Sequence, residues 1–470
     1  MIKFENKIKE DSWKNKAKER QKKIKALTKR QEELKGSRDL WKSKYQALKE
    51  EIKFSRQLSQ EKAMRHQYWV LCVYLVVQWQ RYGAMSLRGC RHCLSCVYLA
   101  FNLQSRLPSH MSIRSWICKC GYHRLKKAES PLPVTTRVIL IDESITIGSQ
   151  KMLLVLGLDI GNWTFKRPLQ LTDVEVLSLS FRDSWKGEAI KEVIEGLKAH
   201  YNIPYIVSDK GANLLNTYQL GGYLHISECS HVLANALEHQ YKTDERFIAF
   251  TSLLGSLRRK WFLSQKVIHM PPNQRSKVRF HHVFPLVQWA VRHLKHWDKL
   301  PDEVKLATLW LWEHQDFIEE LDCIHQLSDN IALILKSEGF NQQVKVKVQD
   351  LLFPVLNNPE QRQAQGFAQE IDQYLNQLTT LCPNNSTVLC CSDIIESAFG
   401  KIKFKINAQS PNGLTEFILA MANFTKPIVQ QEIKEALMAI KDKDIKQWRP
   451  DTQSLAAKKR AFFHKNGGKK

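Results

Sequence analysis

The chain has 470 residues, which is long enough for two to four domains with a sizeable core. It carries 71 Lys and Arg against 47 Asp and Glu, so its formal net charge is +24 and its sequence pI is near 9.5. This balance favours a polyanionic partner, most often nucleic acid, and leaves a basic membrane-surface protein as the main alternative. The longest apolar run, residues 68–79, is too short to span a bilayer and predicts a buried helix or strand.

The opening residues, MIKFENKIKEDSWKNK, contain no apolar core of the kind that a signal peptide has. The 11 cysteines follow no regular spacing in this long chain, so we expect free thiols in a reducing compartment. The sequence therefore predicts a soluble intracellular protein.

The first segment, residues 1–66, is crowded with charge and is markedly basic. Its apolar residues recur at a spacing of seven, which is typical of a short coiled coil. We predict a self-associating helix and hence a homodimer, with a solvated single helix as the alternative. The two seams consist of Leu27, Leu34, Trp41 and Leu48, and of Ile24, Tyr45 and Ile52.

Residues 67–128 are predicted to form a helical DNA-binding domain. An apolar-faced helix, a break at Pro108 and a second helix that Gly121 ends give the outline of a helix-turn-helix unit. We expect the second helix to expose a basic face to DNA. The predicted DNA contacts on it are Arg114, Lys119, Arg124, Lys126 and Lys127.

A zinc site is an alternative interpretation of the same region. The candidate ligands are Cys90, Cys93, Cys96, Cys118, Cys120 and His123. Because free cysteine commonly packs as a small buried hydrophobe, packing within helices is the preferred interpretation.

The pattern changes from helices to strands after a linker at residues 129–136. Three consecutive strands, a helix, two more strands and a final helix describe an α/β fold with a mixed sheet flanked by helices. We assign residues 129–242 to the first part of a catalytic domain. The predicted strands are 137–144, 151–161, 174–183, 203–213 and 223–231, and the predicted helices are 185–202 and 231–242.

Residues 243–385 lose the strand pattern and are predicted to be an all-helical insertion rich in Trp, Leu, His and Lys. The catalytic domain is predicted to resume at 386–441, and 442–470 is a basic tail that we expect to fray. Within the insertion, Arg258 and Arg259 are predicted to contact DNA.

Trp261 follows this basic stretch. It either stacks on a flipped base near the cleavage site or packs in the core, and burial is the commoner fate of a tryptophan.

Two carboxylates close predicted strands, namely Asp142 in ILIDES and Asp209 in YIVSDKG. Open α/β sheets place ligands at strand ends, and two close carboxylates do not both stay ionised without a cation. Mg²⁺ is a hard cation that takes oxygen ligands. A third acid from a helix would complete a site for two ions about 4 Å apart, which activate the attacking oxygen and stabilise the leaving one.

Glu396, in SDIIESAFGKIK, meets the demand for that third acid. In a helix, the apolar residues of this segment would pack inward while Glu396 lies on another stripe. Lys401 and Lys403 are then predicted to meet DNA phosphates beside the metals.

Other residues compete for these roles. Strand alternation sends Glu143 to the opposite face from Asp142, and Asp159 is interpreted as structural. Asp393 lies one helical turn before Glu396 and either replaces it or caps the helix. His231 either touches the substrate or leaving group, or is a capping or packed histidine.

The order of strand-end Asp142, strand-end Asp209 and helical Glu396, on a plan of three strands, helix, strand and strand, resembles the DDE transposases of bacterial insertion sequences. Their fold is RNase H-like. The resemblance covers about 130–242 and 386–425, and the preceding basic helices are similar to the DNA-binding N-termini of such enzymes. Some of these transposases also carry a Cys/His signature where Cys229 and His231 follow the fifth strand.

This resemblance implies cleavage at the ends of a mobile element and strand transfer of the 3′ hydroxyl ends into target DNA, with two Mg²⁺ or Mn²⁺ ions. It implies double-stranded DNA as the partner, a homodimer or higher synaptic complex, and a cytoplasmic, nucleoid-associated protein in a bacterium. A non-catalytic DNA-binding or architectural protein is one alternative. Another RNase H-like nuclease, such as a resolvase, is a second.

Overall fold

The computed structural model describes residues 20–46 except 22 and 26, 61–83, 85–101, 103, 106–129, 134–144, 150–274, 283–382, 386–405, 415–448 and 455–466. The chain divides into two compact units. The first comprises Met1–Lys62 with Trp69–Leu71, and the second comprises Ala63–Tyr68 with Cys72–Lys470.

The first unit is helical over its described residues between 20 and 46. The apolar side chains described between residues 20 and 46 are exposed, and Leu48 and Ile52 of the predicted seams lie outside the described residues. The exposed apolar side chains are Ile24, Leu27, Leu34, Leu40, Trp41 and Tyr45.

The second unit is built on a five-stranded mixed sheet with the order β3-β2-β1-β4-β5. The first three strands are antiparallel neighbours, and β4 and β5 run parallel to β1. A strand lies within each of the five predicted ranges, but β4 and β5 have three residues each and are shorter than predicted. The strands are β1 (Val138–Glu143), β2 (Lys151–Leu158), β3 (Val174–Arg182), β4 (Ile206–Ser208) and β5 (His225–Ser227).

The central strands are apolar because helices cover the sheet on both faces. Helices α4 (Gly187–Lys198) and α5 (Ala212–Gly221) pack on one face, where Ile190 and Leu214 meet the buried side chains of β1 and β2. Helix α3 (His110–Glu129) packs against β3 and against the 3₁₀ helix Glu416–Asn423. The predicted α/β class is therefore confirmed.

The helices before the sheet are α1 (Val70–Tyr82), α2 (Leu87–Ala100) and α3. The apolar run at 68–79 was predicted to be a buried helix or strand, and most of it lies in the helix α1. Across the described part of the chain, the helices are all too short or too polar to cross a membrane.

The exposed basic face predicted for α3 is wrong in part. Lys119 is only 8% exposed and pairs with Asp442, with 3.4 Å between Nζ and Oδ1. Arg114 pairs with Glu416 at 2.7 Å. Because α3 is enclosed by β3 and the 3₁₀ helix, it is a core helix of the second unit, and the boundary predicted at 128/129 falls inside that unit.

Arg124 makes several contacts within the fold. Its guanidinium contacts Glu432 at 2.9 Å and donates to the backbone carbonyl groups of Ala422 and Thr425 at 2.9 and 2.8 Å. A guanidinium that satisfies so many acceptors within the fold holds the chain after the 3₁₀ helix against α3. The DNA contact predicted for Arg124 therefore has little support, and Lys126 and Lys127 are the exposed cations of the helix.

The predicted insertion is helical where the structure describes it. Helix α6 follows β5 and carries the insertion, since α11 and α13 pack against it. The helices are α6 (Cys229–Tyr241), α7 (Glu245–Trp261), α8 (Phe284–Lys295), α9 (Asp302–Thr308), α10 (Trp310–Glu313), α11 (Gln315–Glu338), α12 (Gln342–Leu356) and α13 (Arg362–Leu381).

The chain then returns to the sheet through α14 (Ile394–Lys405), which packs on β1. Helix α15 (Gln430–Ala439) packs on α3. Part of the tail that was expected to fray is ordered, because Trp448 in α16 (Asp442–Trp448) packs on Phe181 with ring centroids 5.8 Å apart. A last helix, α17 (Leu455–Asn466), follows.

Gly121 tests the close packing of α3. A Cβ built there would lie 1.9 Å from the backbone oxygen of Leu419, so Gly121→Ala must force the 3₁₀ helix away. We expect a loss of about 1–3 kcal/mol in the free energy of unfolding, measured by chemical denaturation, which is the typical cost of overpacking.

Gly196 in α4 is the matched control, since a Cβ there would meet nothing within 4 Å. Gly196→Ala should leave stability unchanged or raise it by up to about 1 kcal/mol, because alanine is the better helix former. Equal effects of the two substitutions would contradict the packing described for α3.

Candidate functional site

The pairing of the parallel strands brings three acids to one edge of the sheet. Leu140 of β1 pairs with Val207 of β4, and Val207 pairs with Ile226 of β5. Two residues further along each strand lie Asp142, Asp209 and Glu228. Because equivalent positions of paired strands share a face, these three side chains emerge side by side at the carboxyl edge.

Glu396 reaches the same edge from α14. Ile395 and Phe399 are buried under the helix, which leaves Glu396 exposed on another stripe, as the sequence pattern predicted. A narrow cavity of about 20 Å³ lies between these groups. Its lining includes Asp142, Asp209, Glu228, His231, Asp393 and Glu396.

The electrostatics show that the acids influence one another. Burial, and after it the negative charges of Asp209 and Glu396, together raise the pKa of Asp142 to about 7. The Asp209 carboxylate also accepts a hydrogen bond from the Gly211 N–H at 3.0 Å. A buried carboxylate with like charges beside it is a group that a cation would stabilise.

A second acidic pair lies directly behind the cavity. Glu228 is 1% exposed, and burial together with the charge of Asp393 raises its pKa to about 8. Burial alone would raise the pKa of Asp393, but its hydrogen bonds with Lys336, Glu228 and Ser230 hold it below its ordinary value. The raised pKa of Glu228 and the lowered pKa of Asp393 favour a neutral Glu228 beside an ionised Asp393.

The sequence analysis missed Glu228 and Lys336. The Glu228 side chain caps α6 by accepting a hydrogen bond from the His231 N–H at 2.6 Å, and Lys336 of α11 forms an ion pair with Asp393. Glu228 had a signal, because an acid directly follows an apolar strand in LHISE, as it does for Asp142 and Asp209. Lys336 had none, since only the folded insertion brings it to the sheet edge.

The acid-lined cavity adjoins a larger open pocket of about 510 Å³. The two share His231, Asp393 and Glu396, and the larger pocket adds the Lys336 ammonium and two serine hydroxyl groups, of Ser230 and Ser397. A substrate would therefore approach the acids from the side of α14 and α6.

The competing acids have structural partners. Glu143 accepts from Lys151 and Asn213 at 3.5 and 3.4 Å, away from Asp142. Asp159 pairs with Arg137 at 2.6 Å, which agrees with its structural interpretation.

The remaining predicted DNA contacts do not gather at the acids. Lys401 donates to the Arg81 carbonyl oxygen at 3.1 Å, and Lys403 lies over the Phe399 ring at 5.4 Å. Arg258 donates to the Pro271 carbonyl oxygen, and Arg259 donates to Ser256 at 3.0 Å.

Trp261 is only 4% exposed. The packed interpretation of this tryptophan is the one that the structure supports, and base stacking would require it to leave the core.

A basic pocket of about 630 Å³ lies elsewhere in the second unit, between α2 and the start of α3. Two arginines and a histidine occupy one face of α2 at spacings of three and four residues, and two more basic residues precede or begin α3. This spacing was readable in the sequence. The basic lining residues are Arg88, Arg91, His92, Arg106 and His110.

The cysteines and the histidine considered above as zinc ligands are all described, and their ligand atoms do not form a group of three within 4.8 Å of one another. Cys118 and Cys120 are buried in α3, as the packed interpretation requires. Within the described parts of the chain, the ligand atoms that converge to within 4.8 Å of one another are those of Glu228, Cys229 and Cys391.

The ligand atoms of the three predicted catalytic acids, all of them described, do not all lie within 4.8 Å of one another. A site for two ions about 4 Å apart accommodates such spacing, because each ion needs only some of the carboxylates.

No protein-family model matches the chain, and no curated protein is significantly similar to it in sequence. The function of the site therefore has to be argued from its geometry and chemistry.

Asp142→Asn tests how much the ionised Asp142 carboxylate destabilises the metal-free protein. The pKa of Asp142 is about 7 in the folded chain, whereas its ordinary value is 3.8. The ionised carboxylate therefore destabilises the folded state fully above pH 7, and this destabilisation disappears below about pH 4, where the group is neutral in both states. We expect the variant to be more stable than the wild type at pH 8 by about 1–3 kcal/mol, which allows for partial solvent access.

The measurement is denaturation in a chelating buffer at pH 5 and pH 8, with the exposed Asp183→Asn as the control. The stabilisation should shrink as the pH falls from 7 towards 4, because the wild-type carboxyl then becomes neutral. A gain of the same size at both pH values would show that Asp142 is not under charge repulsion.

Proposed function

We propose that this chain is a DNA transposase with an RNase H-like catalytic domain. In this proposal it binds the ends of its mobile element, cleaves phosphodiester bonds and joins the 3′ hydroxyl ends to target DNA. The observation that carries the proposal is the meeting of Asp142, Asp209 and Glu396 at one cavity, from two adjacent parallel strands and a helix beyond the insertion.

The strand plan supports the resemblance on which this proposal rests. Three antiparallel strands come first, and two later strands return parallel to β1. Acids at the ends of β1 and β4, with a third on a helix that packs on β1, are what the resemblance to DDE transposases led us to expect.

The donor set fits Mg²⁺ or Mn²⁺. Asp142, Asp209 and Glu396 offer only carboxylate oxygens, and the pKa of Asp142, raised by burial and by the charges of the other two acids, shows a carboxylate that divalent ions would stabilise. When bound, two such ions supply Lewis acidity at the attacking and leaving oxygens of a phosphodiester displacement.

The chain's own groups have separate tasks in this proposal. Asp142 and Asp209, fixed by the sheet, give the site its rigid side, whereas the exposed Glu396 completes it from the helix. His231 lines both the cavity and the open pocket, where its ring can contact a substrate phosphate or leaving group. Lys336, although paired with Asp393, limits the negative charge that a DNA backbone would meet.

The net charge of +24 supports DNA as the substrate, with affinity that falls as salt rises. The basic pocket between α2 and α3 is the surface we assign to the DNA backbone, in place of the α3 residues that the fold uses internally. The exposed apolar seam of the first unit supports pairing of two copies, as joining two DNA ends requires.

Removing one acid should abolish cutting while sparing DNA binding. We expect Asp142→Asn, Asp209→Asn and Glu396→Gln each to lower nicking of a labelled duplex by about 100-fold or more in Mg²⁺ or Mn²⁺, since each loses charge without losing shape. Binding to the same duplex should change by less than about threefold.

Glu143→Gln is the matched control, because Glu143 is the neighbouring acid and is bound to Lys151 and Asn213. It should nick as the wild type does. Full activity in the three acid variants would contradict the proposed site, and DNA binding without nicking in any metal would favour an architectural protein. Preference for branched DNA over a linear element end would favour a resolvase.

The basic pocket gives a separate prediction about binding. Replacing Arg88 and Arg91 together by Ala should weaken binding to element-end and unrelated duplexes alike, and lower the slope of log affinity against log salt by about 2, one unit per lost phosphate contact. Equilibrium binding measured over a salt series provides the test.

The control is Lys242→Ala combined with Arg362→Ala, which removes the same charge from two exposed positions, one directly after α6 and one at the start of α13. This variant should keep the wild-type slope. Equal slopes for all three proteins would remove the basic pocket from the DNA-binding surface.

A further inference from the structure

The base of the helical insertion holds a cluster of soft ligands that the proposed cleavage does not use. The chain leaves the sheet at Glu228 and Cys229 and returns to it at Cys390 and Cys391. The two segments are joined by a hydrogen bond from the Cys229 N–H to the Cys390 carbonyl oxygen at 2.8 Å.

The side chains at this junction converge. The Cys229 Sγ lies 3.7 Å from the Glu228 Oε1, and the Cys391 Sγ lies within 4.8 Å of both. The Cys390 thiol is also in hydrogen-bonding contact with that of Cys229. All four side chains are buried.

These distances suit a tetrahedral metal. Zinc takes thiolate sulfur at about 2.3 Å and carboxylate oxygen at about 2.1 Å, which places neighbouring S and O ligands about 3.5 Å apart. Two sulfurs with one oxygen select a thiophilic ion such as Zn²⁺, whereas Mg²⁺ prefers oxygen alone. The other carboxylate oxygen of Glu228 is used separately, by the His231 N–H.

The geometry points to a structural zinc site formed by Glu228, Cys229 and Cys391. The Cys390 thiol lies beside Cys229 and is not a member of this group. Binding would displace the two thiol protons of Cys229 and Cys391 and the proton of Glu228, leaving two thiolates and a carboxylate on the ion. No oxidation or reduction takes part.

Such a site would link the chain segment before the insertion, at Glu228 and Cys229, to the segment after it, at Cys391. Cys391 lies two residues before Asp393 and five before Glu396, so a fixed Cys391 would restrain the start of α14. This inference does not depend on the proposed cleavage, because it concerns the metal content of the free protein.

The test is metal analysis of the full-length protein, purified without chelators and then equilibrated with Zn²⁺ and desalted. We expect about one zinc ion per chain in the wild type, and its loss in Cys391→Ser and in Cys229→Ser. The exposed Cys323→Ser is the matched control and should keep its zinc. Glu396→Gln should keep its zinc too, which separates this site from the cleavage site.

A second measurement needs no substitution that might impair folding. Cobalt-loaded wild-type protein should show the near-ultraviolet charge-transfer band of a thiolate–Co²⁺ bond, and added Zn²⁺ should remove it. A wild-type protein that takes up no zinc would overturn the inference, as would cobalt bound without a thiolate band. A disulfide between Cys229 and Cys391, found by thiol counting in denatured protein, would also overturn it. If the protein binds zinc but never nicks DNA, the zinc inference stands and the proposed function is contradicted.

Discussion

Buried like charge at the carboxyl edge of the sheet is the constraint on which the site depends. Parallel pairing of β1, β4 and β5 sets Asp142, Asp209 and Glu228 in one row, where Glu228 is buried and the other two are half-buried. Such carboxylates are costly unless a proton, a cationic side chain or a metal ion balances them. Behind the cavity, a proton on Glu228 and the Lys336 ammonium balance the charge. Within the cavity, the proposed function uses metal ions for this purpose.

The helical insertion has a physical part in this arrangement. Lys336 on α11 supplies the cation for Asp393, and Ser230 at the start of α6 contacts the same carboxylate. These contacts fix the beginning of α14, one turn before Glu396. The hydroxyl of Tyr205 also accepts a hydrogen bond from the Leu389 N–H at 2.9 Å, which guides the returning chain along β4. An insertion that looks remote in sequence thus helps to place the third acid.

The sheet was predictable because its strands are short apolar runs with abrupt ends. Asp142 and Asp209 stand at those ends, so their approach followed from parallel pairing alone. Glu396 was found from the demand for a third acid and from the helical stripe that it occupies. Glu228 was not predicted, although it follows a short apolar strand as the other two acids do.

The DNA-binding residues were less predictable. The periodicity of apolar residues identifies one buried face of a helix, and it does not reveal a second face whose polar residues are covered by other parts of the fold. Helix α3 has β3 on one side and the 3₁₀ helix Glu416–Asn423 on another, so Lys119 and Arg124 are enclosed with acids from the C-terminal region. Those partners lie about 300 residues away in sequence. Only the fold shows which cations remain for a ligand, as at Arg88 and Arg91.

The central claim is that Asp142, Asp209 and Glu396 form one divalent cation site. Its most direct test is Mn²⁺ binding to the DNA-free protein, followed by electron paramagnetic resonance, for the wild type, Asp209→Asn and the control Glu143→Gln. The account predicts saturable binding that weakens about tenfold or more in Asp209→Asn and is unchanged in Glu143→Gln. Binding of equal strength in all three proteins would contradict it.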